Sequence, residues 1–467
     1  MEMKRLQIRQ DVVKLSIPVL TEQIFLVLMG VVNTMMAGNI GKEAVSAIGM
    51  VDSINNIFIA FFSSAAVGAT VVVAHYAGQN KILEVNEAVK QALFSGICLA
   101  LFITLFIFIF QHPIVGFLYG SAEPQVMRNL HVYLNITLAT YPFMAVTSVA
   151  SGVLRGIGDT RTPMKVTMLM NLANIVLSYP MIYGVRFHNN YIHIDMPGLG
   201  VTGAAIGIAA ARTLGAILML LVLWKGSDRI HITHIRSFRF QMNYLKSIFG
   251  IGLPASFESL MFNAGKLITQ IFIVGMGTAA TASNYIANSI ASVVNVPGNA
   301  FGIVIVTMVG QSMGRRDTDA AGKTMLYLLK FSSLSLLVIC AAIFPLARFL
   351  VSLYSKEAVV IDLAVDIVRL LAIATPLFWS AAFVLPAGLR GAGDVKYTMF
   401  SSILGMWAFR ITLGYLLGVP LGLGVQGVWI GMYIDWIVRG FLYYMRLRNG
   451  KWKLKKVIQS DSETESV

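Results

Sequence analysis

Charge is scarce in this chain. Asp, Glu, Lys and Arg make up 12% of its 467 residues, about half the share in a typical soluble domain. Apolar residues make up 57%, and the mean hydropathy is +0.73. A soluble fold has too little polar surface here to cover that much apolar surface. Disorder is excluded as well, because disordered chains are polar and charge-rich. Cysteine is scarcer still. Cys98 and Cys340 both sit within apolar runs, and two such residues build neither a disulfide framework nor a metal set. Among the histidines, His231 and His234 lie in a loop without supporting ligands, which predicts no zinc site. Neither a P-loop nor a dinucleotide fingerprint occurs, so neither ATP nor a nucleotide cofactor is expected. Gly310-Gln311-Ser312-Met313-Gly314 has the spacing of a hydrolase nucleophile turn. It ends an apolar run instead of joining a strand to a helix, so no hydrolase is read from it.

Long apolar runs are what the chain has. Twelve stand out, near 15–38, 50–74, 92–110, 131–153, 164–184, 201–224, 248–275, 284–310, 326–349, 364–388, 399–418 and 425–445. A spanning helix needs about 20 mostly apolar residues. Barrel strands are about 10 residues long and alternate in polarity, so helices are expected throughout. The N-terminal basic stretch leads into an apolar run that reaches Gly38. That is too long for a signal-peptide core and reads as an uncleaved first span. The fold class that follows is an all-α integral membrane protein with 12 transmembrane helices.

The net charge is +14, and its placement accounts for it. Alternate connections put 25 Lys and Arg on the side of the N-terminus and five on the other. The positive-inside rule then places both termini in the cytoplasm, as an even number of spans requires. The excess charge points to anionic lipid headgroups as partners and not to nucleic acid. The longest inner connection is basic and separates six spans from six. The expected organisation is an N-terminal lobe over 1–224, a cytoplasmic linker over 225–247, a C-terminal lobe over 248–445 and a cytoplasmic tail over 446–467.

The two halves repeat one another. Leu154-Arg155-Gly156-Ile157-Gly158-Asp159 recurs in the second half as Leu389-Arg390-Gly391-Ala392-Gly393-Asp394. Gly198-Leu199-Gly200-Val201 recurs as Gly422-Leu423-Gly424-Val425. Pro18 and Glu22 recur as Pro254 and Glu258, and Gly78 as Gly314. Six helices per copy give both copies the same orientation. That predicts a pseudo-twofold axis along the membrane normal, with a cavity between lobes that opens to one side at a time. Gly203-x-x-x-Gly207 and Gly427-x-x-x-Gly431 hold matched places, where small residues let helices of one bundle approach closely.

Ionisable residues within spans are costly and mark candidate function. Glu22 and Glu258 are repeat-related, so both are expected to face the cavity. There a carboxylate can take up a proton or bind a cation; the competing reading is a carboxylate that only ties helices together inside its own lobe. Asn33 follows Glu22 at a spacing close to three full helical turns, which returns it to the same helix face. Lys266 follows Glu258 by a little over two turns, roughly on that face and able to pair with an acid. Arg212, Asp366, Arg369, Arg410 and Asp435 suit structural ion pairs. Asp52 suits a helix N-terminus. Arg155, Asp159, Arg390 and Asp394 fall in inner turns and suit a charge network at a cytoplasmic gate.

Together these residues resemble the multidrug and toxic compound extrusion (MATE) family over nearly the whole chain. The likeness rests on the six-plus-six arrangement and on Val32-Asn33-Thr34-Met35-Met36-Ala37-Gly38 in the first helix. It rests also on the twin L-R-G-x-G-D turns, and on Pro297-Gly298-Asn299-Ala300-Phe301-Gly302 running into Val309-Gly310-Gln311. The resemblance implies a secondary active exporter in the bacterial inner membrane. It would antiport cationic or amphipathic small molecules against H+ or Na+, with no cofactor and no metal site. The chain is expected to act as a monomer. Two departures stand out. Asn33 stands where members often carry an aspartate, and Trp379 where members of the NorM type carry another. Glu258 also lies about one turn before their seventh-helix glutamate. The reading therefore assigns ion coupling to Glu22 and Glu258, with Asn33, Lys266 and Trp379 in the same cavity. The alternatives are a lipid-linked glycan flippase of the same superfamily, disfavoured by few in-span cations, and a narrow-substrate metabolite exporter.

Overall fold

The computed structural model describes residues 2–38, 40–120, 122–189, 192–226, 230 and 238–458. Part of the 225–247 connection, with His231 and His234, and residues 459–467 lie outside them. Twelve helical spans form. In the N-terminal lobe α1 is Glu2–Gly38, α2 is Lys42–Gly78 and α3 is Ile82–Tyr119. Span α4 consists of Pro124–Leu138 and Tyr141–Gly156, bent by 47°. Spans α5 and α6 are Arg161–Tyr183 and Val201–Lys225. In the C-terminal lobe α7 is Met242–Gly275, α8 runs in two pieces, Thr278–Val294 and Val296–Gly314, and α9 is Thr318–Ser352. Span α10 joins Ala358–Ala374 to Ser380–Gly391 through a π segment, Thr375–Trp379. Span α11 joins Val395–Leu404 to Thr412–Gly418 through a second, Gly405–Ile411, and α12 is Gly424–Arg448. Each span coincides with one apolar run of the sequence.

Among the described residues eight helices are long and apolar enough to cross a membrane alone, nine with the bent α4. The other three spans are α10, which is interrupted, and α7 and α12, which carry Glu258, Lys266, Asp435 and Arg439. Pro142 in α4 and Pro376 in α10 are repeat-related. A proline removes the N–H that continues a helix. In both lobes the span is interrupted there, by a bend in α4 and by the π segment in α10.

One element has no counterpart among the apolar runs. Strand β1, Gly184–Asn189, pairs antiparallel with β2, Ile192–Pro197, between α5 and α6. The spacing between repeat partners shortens across this region, so the N-terminal copy is longer by about the length of the hairpin. The spans themselves are all helical.

Helices α2 and α8 cross at the lobe boundary, where α2 also packs on α7 and α1 on α8. Within a lobe the matched glycine pairs set the spacing. A Cβ at Gly203 would lie 2.1 Å from the Met181 carbonyl oxygen, and one at Gly431 2.5 Å from the Gly414 nitrogen. These residues pack α6 on α5 and α12 on α11, as the sequence led us to expect. Long helices α3 and α9 turn Phe102, Phe106, Phe108, Val338 and Phe349 outward, the surface that apolar lipid tails accept. The described part of the tail folds back onto the bundle. Trp452, 1% exposed, packs over Gly322 at the start of α9, and Val457 lies over Gly393.

Candidate functional site

A cavity of about 680 Å3 lies between the lobes. Its apolar wall includes Ile59, Met144, Ile303, Trp379 and Phe383, and its polar wall Glu22, Asn33, Asn174, Arg155, Arg212 and Arg390. Trp379 ends the π segment of α10 and stacks on Phe383 with ring centres 4.8 Å apart.

Two repeat-related ion pairs dominate the site. Glu22, 3% exposed, accepts from Arg155 Nη2 at 2.7 and 2.8 Å and from Thr167 Oγ1 at 3.1 Å. In the other lobe Arg390 Nη1 donates to Glu258 Oε2 at 3.2 Å. The Nε of each arginine has no hydrogen-bond partner. Glu258 stands behind Arg390 and is not part of the wall.

The arginines are therefore not members of the turn network in which the sequence placed them. Cα–Cβ bonds tilt toward a helix N-terminus. Arg155 and Arg390 close α4 and α10, so their side chains reach back into the bundle. Only the aspartates serve the turns. Asp159 caps α5, accepting from the Arg161 and Thr162 backbone nitrogens at 3.0 Å each. Asp394, 1% exposed, is held by Arg446 Nε at 2.6 Å and Lys455 Nζ at 3.5 Å. Gly158 and Gly393 take φ of 93° and 90° in these turns, a conformation glycine adopts without strain.

Asn33 lies where its spacing places it. Near-whole turns leave it only about 20° from Glu22 around the helix. Its Oδ1 accepts from Asn174 Nδ2 at 3.0 Å, and Ser178 Oγ donates to Asn174 Oδ1 at 3.0 Å. Lys266 does not, and its assignment to the cavity is corrected. Its spacing turns it roughly 80° away from Glu258, and like Glu258 it is not part of the cavity wall. Its ammonium lies 5.3 Å from the Phe262 ring centre. The guanidinium groups of Arg410 and Arg439 flank the same ring at 5.8 and 5.4 Å. Asp435 is committed to Arg439 at 2.7 Å. Arg212 reaches the cavity, which sequence reasoning missed. It bonds Thr140 Oγ1 at 2.9 Å, at the break in α4.

At the end of the molecule where α1 begins and α12 ends, the lobes close on each other. A Cβ at Gly78 would lie 2.2 Å from the Gln311 carbonyl oxygen, and one at Gly314 2.1 Å from that of His75. Gln311 Nε2 donates to the Gly156 carbonyl at 2.9 Å. His75 Nε2 stands 3.0 Å from the Gly391 carbonyl and donates to it, since a carbonyl only accepts. The register of the internal repeat is the sequence signal that relates these two bonds: it pairs His75 with Gln311 and Gly156 with Gly391. Ser312 bonds the Met308 carbonyl one turn back at 2.8 Å, the habit of a buried helical serine. Among the described residues no group of His, Cys, Asp or Glu is placed to hold a metal ion.

The MatE family pattern matches residues 18–180 and again 254–416, in the register of the repeat. The chain belongs to the MATE family. It is an integral membrane transporter and not an enzyme. A probable multidrug resistance protein NorM from Thermotoga maritima is 25% identical over 469 residues, 98% of this chain and 96% of its own length. An uncharacterized transporter YisQ from Bacillus subtilis is 26% identical over 439 residues, 94% of each chain. Among solved structures, an outward-facing multidrug resistance MATE family transporter is similar with a TM-score of 0.84 at 22% identity, covering 95% of both chains. A MOP superfamily transporter from Pyrococcus furiosus reaches 0.86 at 22% identity, covering 96% of this chain and 97% of its own.

Proposed function

We propose that this MATE chain is a secondary active multidrug exporter working by alternating access. The observation that carries the reading is a cavity between two pseudo-symmetric lobes, closed at one end by two repeat-related hydrogen bonds. The Lys and Arg distribution assigns the closed end to the cytoplasm and both termini with it. The cavity then faces outward, in the inner membrane of a bacterium. Rocking of the lobes about the α2–α8 crossing opens it to the other side. Trp379, Phe383, Met144 and Ile303 offer an apolar bed for the body of an amphipathic compound. One chain supplies both lobes and the whole cavity wall, which suits a monomer. The excess of Lys and Arg on the cytoplasmic side suits anionic headgroups as partners.

Coupling is assigned to Glu22. A proton or Na+ arriving from the open side acts on the carboxylate and releases Arg155. Asn33, Asn174 and Thr167 line the same seam with polar atoms. Glu258 is the weaker candidate, because Lys266, Arg410 and Arg439 crowd its lobe with positive charge and oppose an entering cation.

Ethidium efflux from proteoliposomes under an imposed pH or Na+ gradient tests the reading. Efflux driven by pH alone identifies H+ as the coupling ion, and efflux driven by Na+ alone identifies Na+. Ethidium retained under both gradients overturns the multidrug reading. One observation favours a second reading, the lipid-linked glycan flippase. Arg155, Arg212 and Arg390 all line the wall, and guanidinium groups suit a pyrophosphate. Translocation of such a lipid in the same vesicles, without ethidium efflux, would select it.

A further inference from the structure

We infer that His75 and Gln311 form a latch that holds the cytoplasmic gate shut, and that the L-R-G turns carry the state of Glu22 to it. The inference rests on the alternating-access reading and names the positioning residues of that motion.

The latch acceptors are not arbitrary carbonyls. Spans α4 and α10 end at Gly156 and Gly391, where helix carbonyls have no partner within their own helix. Each is met by a side chain from the opposite lobe: Gln311 of α8 for Gly156, His75 of α2 for Gly391. The two bonds are exchanged by the pseudo-twofold axis, so one rocking motion breaks both. Close crossing at Gly78 and Gly314 brings the donors within reach. A displacement of about 1 Å takes such a bond past useful length.

The residue before each latch carbonyl is the arginine of an ion pair. Arg155 holds Glu22, and the next peptide oxygen holds Gln311. Arg390 holds Glu258, and the next holds His75. Releasing Arg155 loosens the end of α4 that presents Gly156. An ion arriving at Glu22 from the open side thus weakens the closure on the far side of the cavity. That is the order of events alternating access requires.

The test uses the full chain with Cys98→Ser and Cys340→Ser and one reporter, Ser63→Cys on the cavity wall. A membrane-impermeant maleimide is applied to right-side-out and inside-out vesicles. The parent is expected to label from the outside only. His75→Leu or Gln311→Leu raises the inside labelling rate about fivefold, and the double variant roughly 25-fold, as one net hydrogen bond each implies. Exchanging the repeat partners, His75→Gln with Gln311→His, keeps both donors and returns the inside rate to the parent's. Glu22→Gln raises it as well, and adding Gln311→Leu gives less than the product of the two effects. A double Leu variant labelled like the parent, or an exchange variant labelled like the double Leu, overturns the latch. Multiplicative effects of Glu22→Gln and Gln311→Leu overturn the transmission. Labelling needs no transported compound. Absence of ethidium efflux therefore counts against the export reading and leaves these rates to judge the latch.

Discussion

At the residue scale, the ion pairs separate groups that act from groups that only hold. Glu22→Gln is expected to abolish gradient-driven ethidium efflux while the chain inserts at the parent level, measured in matched proteoliposomes. Asp435 and Arg439 are 0% and 2% exposed. Asp435→Ala strands a buried guanidinium and is expected to cost about 3 kcal/mol, seen as a lower unfolding temperature in detergent. Arg348 and Asp362 pair at 3.2 Å, with side chains 67% and 62% exposed. Asp362→Ala is expected to change stability by about 0.5 kcal/mol or less. Which residues face the cavity was partly legible in the sequence. Asn33 was, because its spacing from Glu22 nearly completes whole turns. Lys266 was not, because Glu258, the residue it was placed from, itself stands behind Arg390 and off the wall. Arg155 and Arg390 were misplaced because a motif gives the position of a Cα, whereas a long side chain at a helix end acts several ångströms back along the axis.

At the element scale, spacing between helices is set by what is missing from certain side chains. Gly314→Ala puts a carbon 2.1 Å from the His75 carbonyl oxygen, and backbone cannot give way cheaply. The substitution is expected to part α2 from α8 and raise inside labelling of Ser63→Cys, as loss of the latch does. Gly250 has nothing within 4 Å of an added Cβ, so Gly250→Ala is expected to leave labelling unchanged. All twelve spans could be read from apolar runs, because lipid demands continuous apolarity whatever the tertiary contacts. The π segments could not, since they depend on how Pro376 and Gly405 meet neighbouring helices. The β-hairpin escaped notice because 184–197 is short and mixed in polarity. Its only trace is the shortened spacing between repeat partners beyond it.

At the scale of the whole molecule, the charge distribution predicts the orientation, and the repeat underlies the proposed mechanism. In the cysteine-free chain, Lys396→Cys and Lys356→Cys are expected to label from opposite faces of sealed vesicles, Lys396→Cys from the inside. Equal labelling from one face would overturn the topology. The two-lobe architecture was legible because the halves still match in sequence. The contacts between lobes were not, because they join residues from opposite halves of the chain by bonds to backbone, which carry no side-chain signature. The docked tail has a consequence for biosynthesis. Asp394 of the C-terminal lobe is 1% exposed, and its two cations, Arg446 and Lys455, stand at the end of the twelfth span and beyond it. A chain cut short before residue 446 loses both cations and the tail residues that cover this turn, so the Asp394 carboxylate is expected to be left unpaired. Completion of the lobe is thereby expected to wait for the last part of the chain to be translated, with the turn left uncovered in a truncated chain.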